Sequence, residues 1–272
     1  MKAHRIPCAR SANLVVSCVV LLALSANPGR AQSAEPARKP LLSPSHQRIV
    51  FLGDSITDAN TYPTLLKKAL ADAGYTPPVC INAGVGGNTA ADMKARLAST
   101  VLAFKPTLVT VHAGANDAIL KTSPDVFEQQ VAAIVETIQK AECSLVLIAP
   151  TLIGPGHADA QTNLSALASA LQTLAGKSKV PLARVDGLMR EAQGRGEKIM
   201  EEDGLHPNFE GQKYIARALL DTLGYTNVSL PAAVTVGMYP GVITNWMVKP
   251  VAGGTPPIDE SSVPTTPTNG GW

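Results

Sequence analysis

Three side chains with complementary chemistry stand out in the sequence. Ser55 follows a short apolar run, residues 49–52, at the point where a helical pattern resumes, and Asp203 precedes His206 by three residues. A serine hydroxyl is a poor nucleophile unless a general base lies beside it, and a carboxylate commonly holds that base in one tautomer. The spacing Asp-x-x-His lets one loop supply both the base and the acid. These residue types therefore predict nucleophilic catalysis by Ser55.

The elements that must position these residues alternate between short apolar strands and amphipathic helices. The predicted strands cover residues 48–53, 79–82, 108–112, 145–149 and 182–185. The predicted helices cover residues 61–73, 89–104, 124–140, 161–175 and 209–223. Strands that are apolar throughout and alternate with helices are typical of a sheet covered on both faces. The sequence thus predicts an α/β fold with a doubly wound, mostly parallel five-stranded sheet in a three-layer α/β/α arrangement.

Polar or glycine residues follow three of the predicted strands directly. Ser55 follows the first strand, Gly86 and Gly87 follow the second, and Asn116 follows the third. In sheets of this kind, ligands bind outside the carboxyl ends of the strands. We therefore expect these three loops to meet at one edge of the sheet and to form a common site.

Four short motifs occur in order along the chain. They are Gly53-Asp54-Ser55, the glycine-rich stretch 84–89, Gly114-Ala115-Asn116-Asp117 and Asp203-Gly204-Leu205-His206-Pro207. Each alone is weak, because short glycine motifs recur by chance, but four in this order at strand ends are specific. With them the chain resembles the SGNH, or GDSL, hydrolase family over residues 49 to about 223. The resemblance implies a flavodoxin-like fold and a serine esterase activity that needs no cofactor or metal.

The resemblance also implies a role for each site residue. Ser55 would be the nucleophile, His206 the general base and Asp203 the acid that orients the imidazole. The oxyanion of the tetrahedral intermediate would be met by the backbone N–H of Ser55, the backbone N–H of Gly87 and the side-chain amide of Asn116. Gly86 is the alternative to Gly87 as the second donor.

Five of these residues also have a structural interpretation. Ser55 could cap a helix, and Gly86 and Gly87 could simply permit a tight turn. Asn116 could be an ordinary turn former, and His206 could lie in a surface loop without a function. The combination of the four motifs favours the catalytic interpretation.

Three other polar residues near the motifs are interpreted as structural. Asp54 and Asp58 are expected to be turn and cap residues. His112, inside the third predicted strand, is expected to be a core histidine with satisfied hydrogen bonds rather than a ligand. The sequence contains no metal-ligand cluster, no phosphate-binding loop and no Gly-x-Ser-x-Gly motif.

The charge balance argues against a nucleic-acid partner. The formal net charge of the whole chain is +2, but residues 1–33 hold four basic residues and no acidic one. The remainder has 19 basic against 21 acidic residues, so no basic stripe is left to bind nucleic acid. The expected partner is a small-molecule or carbohydrate ester.

The first 33 residues have the pattern of a secretory signal peptide. Basic residues precede an apolar segment, 14–24, that is too short to span a bilayer, and small residues follow it. Residues 34–47 would form a polar leader. We therefore expect a secreted or periplasmic protein without a stable membrane span after cleavage. Cys18 lies in a lipoprotein-like box, but most of the apolar run follows it, so lipid anchoring is the less favoured alternative.

The predicted catalytic domain covers residues 48–226, and a Pro/Gly/Thr-rich extension covers residues 227–272. Within that extension, 242–248 has the alternation of a strand. Cys80 and Cys143 would remain after signal cleavage, in an oxidising compartment. Both fall on strands that other strands should separate, so we expect no disulfide between them.

The sequence thus predicts a secreted serine esterase that acts through an acyl-enzyme. Apolar residues that follow the third and fourth strands could take an acyl chain, namely Ile119, Leu120, Leu152 and Ile153. A short-chain acyl ester, such as a carbohydrate O-acetyl ester, is the favoured substrate. The alternatives are a lysophospholipase or thioesterase, and a catalytically silent module that binds acylated ligands.

Overall fold

The structure is a computed structural model, and it describes residues 48–236. The predicted signal peptide, leader and strand 242–248, and all of the C-terminal extension after residue 236, lie outside the described residues. The described residues therefore comprise the predicted catalytic domain and the ten residues that follow it.

Five parallel strands form one sheet at the centre of the domain. The strands are β1 (Arg48–Gly53), β2 (Val79–Gly84), β3 (Leu108–His112), β4 (Ser144–Ile148) and β5 (Leu182–Ala183). Their order across the sheet is β2-β1-β3-β4-β5. At the carboxyl end of β1, Gly53 lies beside Gly84 of β2 and His112 of β3. The loops that follow these three strands therefore begin at the same edge of the sheet.

Eight α-helices connect and cover the strands in the described part of the chain. They are α1 (Ser55–Asp58), α2 (Thr61–Asp72), α3 (Ala90–Thr100), α4 (Ala115–Ile119), α5 (Pro124–Lys140), α6 (Ala158–Ser178), α7 (Val185–Gly194) and α8 (Phe209–Thr222). Short polar side chains cap several of them: Ser123, for example, accepts a hydrogen bond from Val126 N and precedes Pro124 at the first helical position.

Alternate residues of the strands face two separate hydrophobic cores. Ile49 and Phe51 of β1 pack on one side of the sheet, in a core that includes residues of α2, α7 and α8. Val50 and Leu52 pack on the other side, with residues of α3, α5 and α6. Burial on both faces is why these strands are apolar throughout. The predicted three-layer, doubly wound α/β/α fold is confirmed.

Four details differ from the sequence prediction. The helix predicted over residues 89–104 corresponds to α3, which ends at Thr100, and residues 102–104 form a separate 3-10 turn. The fifth strand is only two residues long, because α7 begins at Val185. The sequence analysis missed α7 although Val185, Met189 and Ala192 have helical spacing and are buried. It also missed the short α4, which holds Asn116.

No disulfide joins Cys80 and Cys143, as predicted. Cys80 lies on β2 and Cys143 directly precedes β4, and β1 and β3 lie between these two strands. Both side chains are half-buried. Beyond the predicted domain boundary, Val228 is buried, and Leu230 and Val234 pack against the core that includes α8. Within residues 48–236, no helix combines the length and the apolar character needed to cross a bilayer.

Candidate active site

Ser55 is the first residue of α1 and lies directly after the tight junction with β1. Asp54 caps this helix, because its Oδ1 accepts a hydrogen bond from Ile56 N at 3.0 Å. Gly53 is required on steric grounds, since a Cβ at this position would lie 1.9 Å from Thr57 Oγ1. The prediction that Asp54 is a cap is confirmed. Asp58 is the last residue of α1, directly before the short turn that leads to α2.

The structure brings Ser55, His206 and Asp203 into one hydrogen-bonded chain. Ser55 Oγ lies 2.9 Å from His206 Nε2, and His206 Nδ1 lies 2.6 Å from Asp203 Oδ2. The other carboxylate oxygen, Oδ1, accepts hydrogen bonds from Leu205 N at 2.8 Å and His206 N at 2.9 Å. These two backbone hydrogen bonds to Oδ1 hold the carboxylate in place, with Oδ2 facing the imidazole.

Asp203 is ionised at neutral pH, as an acid that orients an imidazole must be. Partial burial acts to raise its pKa, but the hydrogen bonds from the His206 amide, the imidazole and the Leu205 amide outweigh that effect and lower the pKa to about 2. Asp203 is therefore an anion at neutral pH, and a carboxylate beside Nδ1 favours the tautomer in which Nε2 is free to accept the proton of Ser55.

Backbone contacts hold the loop that carries Asp203 and His206. Met200 and Pro207 form an isolated antiparallel bridge, and Glu201 N donates to the His206 carbonyl at 2.8 Å. Gly204 has a φ of +67°, a conformation that favours glycine. Gly154 N donates to the Gly204 carbonyl at 2.6 Å, and a Cβ on Gly154 would lie 3.0 Å from Gly204 Cα. This loop thus packs backbone to backbone against the loop after β4.

The glycine-rich loop after β2 forms a tight turn beside Ser55. Asn88 N donates to the Val85 carbonyl at 3.2 Å, and Gly87 at the third position has a φ of +78°. These features define a type II turn, in which glycine is needed at that position. A Cβ on Gly86 would lie 4.0 Å from Ser55 Cβ, whereas a Cβ on Gly87 would meet nothing within 4 Å. Gly87 therefore has a conformational reason to be glycine, as the alternative interpretation proposed, whereas a Cβ on Gly86 would make only an ordinary contact with Ser55.

Asn116 lies in the first turn of α4, at the end of β3. Its Nδ2 donates to the Asn88 carbonyl at 3.0 Å, which ties it to the glycine-rich turn. An amide group has two donor hydrogens, so the second remains available to a ligand. Asp117 is buried, and both its carboxylate oxygens accept from Ala90 N, at 3.1 and 3.2 Å. Asp117 thereby attaches the loop after β3 to the start of α3.

The two buried carboxyl groups at this edge have raised pKa values. Burial raises the pKa of Asp54 to about 7, although the Ile56 amide and the nearby His206 act in the opposite direction. Burial likewise raises the pKa of Asp117 to about 6, against the hydrogen bond from Ala90. Asp203 on the other side of Ser55 is shifted downwards instead. The acids around Ser55 therefore differ in their charge near neutral pH.

Arg96 is a residue of this edge that the sequence analysis missed. From α3 it donates to Asn88 Oδ1 at 2.6 Å and to the Gly53 carbonyl at 2.9 Å. Burial lowers its pKa to about 10, and the charges of Asp92 and Asp58 oppose that effect, so the guanidinium remains charged at neutral pH. One signal was present in the sequence: Arg96 follows Met93 by three residues, on the face of the helix that turns towards the protein.

His112 is a core residue as predicted, but its hydrogen bonds are not all satisfied. Among residues 48–236, its Nδ1 has no hydrogen-bond partner, and its ring packs edge-on against Tyr62. Burial lowers the pKa of His112 to about 4, so the imidazole is neutral near pH 7. A neutral ring in this apolar setting carries a smaller desolvation cost than a charged one, which explains how the chain tolerates the unpaired nitrogen.

The residues predicted to line an acyl site are divided by the structure. Leu152 and Ile153 are core residues, 5% and 6% exposed, so the prediction that they contact an acyl chain is wrong. Ile119 is half-buried, and Leu120, directly after α4, is 67% exposed. Among residues 48–236, no group of three or more His, Cys, Asp or Glu side chains lies together as a metal site.

Comparison with known proteins identifies the family. The sequence profile of the GDSL-like lipase/acylhydrolase family matches residues 51–214. The esterase TesA of Pseudomonas aeruginosa is 29% identical over 186 residues, which cover 65% of this chain and 88% of that protein. The thioesterase 1/protease 1/lysophospholipase L1 of Escherichia coli K12 is 27% identical over 62% of this chain and 79% of its own length.

Solved structures agree with the sequence comparison. The lipase/acylhydrolase from Enterococcus faecalis has a TM-score of 0.60 and 26% identity, over 69% of this chain and all of that one. The acetylxylan esterase Axe2 from Geobacillus stearothermophilus has a TM-score of 0.61 at 21% identity, over 67% of this chain and 96% of its own, and so shows the shared fold alone. The chain therefore belongs to the GDSL-like lipase/acylhydrolase family, as its four motifs predicted, and is a carboxylic ester hydrolase.

Proposed function

We propose that the protein is a secreted serine esterase whose triad is Ser55, His206 and Asp203. The observation that carries this proposal is the unbroken chain of hydrogen bonds from Ser55 Oγ through His206 to Asp203, at 2.9 and 2.6 Å. These distances are those that a nucleophile, its base and an orienting acid require. Secretion is supported by the signal-peptide pattern of residues 1–33.

In the first half of the reaction, Ser55 becomes acylated. Ser55 Oγ forms a bond to the carbonyl carbon of the ester while its proton passes to His206 Nε2. The tetrahedral intermediate then collapses, the bond to the alcohol oxygen breaks, and the alcohol leaves with the proton that His206 held. Asp203 stays ionised and stabilises the imidazolium throughout, which is consistent with its pKa of about 2.

In the second half, water releases the acyl group. His206 accepts a proton from water as its oxygen bonds to the acyl carbon. The bond between that carbon and Ser55 Oγ then breaks, Ser55 regains a proton from His206, and the carboxylic acid departs. The net reaction consumes one ester and one water and yields one acid and one alcohol, and Ser55 and His206 end the cycle in the protonation states in which they began it.

The oxyanion of both intermediates is proposed to bind three N–H donors at the sheet edge. They are the backbone N–H of Ser55, the backbone N–H of Gly87 and Nδ2 of Asn116. The hydrogen bond from Asn116 to the Asn88 carbonyl supports this role, because it holds the amide in one orientation beside the glycine-rich turn. Gly86, whose Cβ position is close to Ser55, is the alternative donor.

The proposed substrate is a short-chain acyl ester, with a carbohydrate O-acetyl ester ahead of other alcohols. The burial of Leu152 and Ile153 in the core supports a short acyl group, because these two apolar side chains are then not available to contact a long acyl chain. The side chains of His206 and Asp203 are 37% and 49% exposed, which leaves room for a large alcohol such as a sugar on their side of Ser55.

A lysophospholipase or thioesterase is the second candidate. Leu120 favours it, because this large apolar side chain is 67% exposed at the end of α4, the helix that holds Asn116. The name of the Escherichia coli relative includes both activities. A long acyl chain that covers Leu120 would gain hydrophobic contact there.

Hydrolysis of p-nitrophenyl acetate by wild type and Ser55→Ala tests the triad. We expect kcat to fall by at least about 10⁴-fold in the variant. Ser169→Ala is a matched control, because Ser169 lies exposed on α6 and bonds only within that helix. Equal rates for wild type and Ser55→Ala would contradict the proposal and would favour a binding module instead.

Acyl-chain profiling separates the two substrate classes. We expect kcat/KM for p-nitrophenyl esters to be highest from acetate to butyrate and to fall towards palmitate. Acetylated xylo-oligosaccharides and lysophosphatidylcholine then compare the two alcohols directly. A maximum at palmitate, together with lysophospholipid cleavage, would replace the first candidate with the second.

A further inference from the structure

Arg96 joins two of the loops that surround Ser55. Its Nε donates to Asn88 Oδ1 at 2.6 Å, and its Nη2 donates to the Gly53 carbonyl at 2.9 Å. Its Nη1 donates to Thr100 Oγ1 at 3.2 Å, which fixes the side chain to its own helix, α3. One half-buried guanidinium therefore contacts the end of β1 and the turn after β2 at the same time.

The two acceptors connect Arg96 to the proposed oxyanion donors. The Gly53 carbonyl, two residues before Ser55, also accepts a hydrogen bond from Val85 N at 3.1 Å. Asn88 accepts Arg96 with its side chain and Asn116 Nδ2 with its carbonyl, at 3.0 Å. A continuous path of hydrogen bonds thus runs from the loop of Ser55, through Arg96 and Asn88, to Asn116.

The chemistry of the side chain suits this position. A guanidinium presents several N–H donors in a rigid planar fork, so it can hold two acceptors at a fixed separation, which a lysine ammonium cannot do. Burial lowers the pKa of Arg96, and the negative charges of Asp58 and Asp92 oppose that effect without cancelling it. Arg96 is therefore held by its surroundings and can act as a fixed support.

We propose that Arg96 is a positioning residue for the oxyanion hole, which it acts on through Gly53 and Asn88 without touching the substrate. This inference rests on the proposed function. Correctly placed donors stabilise the charge that develops in the transition state more than they stabilise bound substrate. Loss of Arg96 should therefore lower kcat and leave KM nearly unchanged.

The first experiment compares Arg96→Met and Arg96→Lys with wild type on p-nitrophenyl acetate. We expect kcat to fall by about 10- to 100-fold in both, which is less than the roughly 10²- to 10³-fold loss when a donor is removed outright. KM should stay within about 3-fold. Lys94→Met is the matched control, because Lys94 is an exposed cation on the same helix, and its kcat should be unchanged.

A double-mutant cycle with Asn116→Ala tests whether Arg96 acts through this donor. If it does, Arg96→Met should cost only a few-fold in the Asn116→Ala background, because the group that it positions is already gone. An equal loss in both backgrounds would overturn the proposal. A folded Arg96→Met variant with the kcat of wild type would overturn it as well.

Asn88→Ala keeps the proposal testable if the Arg96 variants do not fold. This change breaks the link from the other end and retains the guanidinium and the backbone carbonyl that Asn116 contacts. A loss of about 10-fold in kcat at constant KM supports the proposal, and unchanged kcat overturns it. Ser55→Ala, measured alongside, distinguishes the two failures: if it is active, the proposed function fails, and if it is inactive while Arg96 and Asn88 variants are fully active, only the positioning role fails.

Discussion

The two sides of the candidate site are built differently. On the side of the nucleophile, the loops after β1, β2 and β3 are joined by side-chain hydrogen bonds, and the carboxyl groups of Asp54 and Asp117 are buried. On the side of the proposed base, His206, the side chains of Asp203 and His206 are exposed to 49% and 37%. Their loop is held mainly by backbone contacts, including the bond from Gly154 to Gly204.

This difference matches what each side must do. Oxyanion donors stabilise a transition state only if they are already in position, so a buried network of hydrogen bonds suits them. A general base must instead exchange protons with an alcohol and with water, so partial exposure suits it. Substitutions on the two sides should therefore have different consequences, and four of them test the comparison, from the largest expected effect to the smallest.

Asp203→Asn should have the largest effect among these four. The amide cannot stabilise the imidazolium, and it favours the tautomer in which Nε2 carries the hydrogen, so His206 can no longer accept the proton of Ser55. We expect kcat to fall by about 10⁴-fold with p-nitrophenyl acetate. Because the side chain is half-exposed, the thermal midpoint should change little. A loss below 10-fold would remove Asp203 from the proposed triad.

Asn116→Ala tests the opposite side. Loss of one oxyanion donor should lower kcat by about 10²- to 10³-fold, equivalent to about 2.7–4 kcal/mol of transition-state stabilisation, with little change in KM. Asn163→Ala is a suitable control, because Asn163 of α6 also donates to carbonyls in and just after α4, those of Ala118 and Thr122. If both variants lost activity equally, the effect would be one of loop structure rather than of the donor.

Asp54→Asn should change how the free energy of unfolding depends on pH, in the opposite sense to a substitution of Asp203. The folded-state pKa of Asp54 is about 7 against an ordinary value of 3.8, so between these values the folded protein binds more protons than the unfolded chain. Stability from this group is therefore lost as pH rises from about 4 to 7, by an amount on the order of a few kcal/mol. Asparagine keeps the cap oxygen, so the variant should gain stability relative to wild type as pH rises.

Urea unfolding of wild type, Asp54→Asn and Asp203→Asn at several pH values measures this difference. Asp203 has a lowered pKa of about 2, so its contribution is present above about pH 4 and is lost as pH falls through 2. The Asp203 variant should therefore differ from wild type in the opposite sense, and by less because the side chain is half-exposed. Parallel profiles for all three proteins would contradict the contrast between the buried and exposed acids.

Gly154→Ala should have the smallest effect. It tests the backbone contact that holds the loop of Asp203 and His206 in place. The added Cβ would lie 3.0 Å from Gly204 Cα and 3.1 Å from its carbonyl oxygen, so the loop of Asp203 and His206 must shift. We expect a loss of about 1–3 kcal/mol in the free energy of unfolding and several-fold in kcat. Gly176→Ala, in open space on α6, is the control and should be neutral or slightly stabilising.

The sequence predicted the fold from local patterns, and it predicted the members of the Ser55–His206–Asp203 chain because its four motifs resemble those of the SGNH hydrolase family. Apolar runs separated by helical spacing are enough to predict a parallel sheet, and the sheet itself brings the loops after β1, β2 and β3 to one edge. The catalytic roles of these residues stay a prediction until the variants above are measured.

What the sequence did not reveal depends on contacts between distant segments. Arg96 is separated by 43 residues from the Gly53 carbonyl that it contacts, and nothing near it in the chain indicates that acceptor. Leu152 and Ile153 are apolar and follow a strand, as residues of an acyl site would. In the structure, however, Leu152 is buried in the core on one side of the sheet and Ile153 in the core on the other. The unpaired Nδ1 of His112 could not be foreseen either, because hydrogen-bond satisfaction depends on the three-dimensional surroundings.

The strand order β2-β1-β3-β4-β5 has a consequence for where chemistry can arise in this chain. The connection from β1 to β2 passes over one face of the sheet with α2, and the connection from β2 to β3 returns over the other face with α3. The order therefore reverses at β1, and such a topological switch point leaves a crevice at the strand's carboxyl end. By that rule the path of the backbone, and not any side chain, determines that Ser55 lies where a ligand can bind, so substitutions in the surrounding loops could change specificity without a change in the sheet.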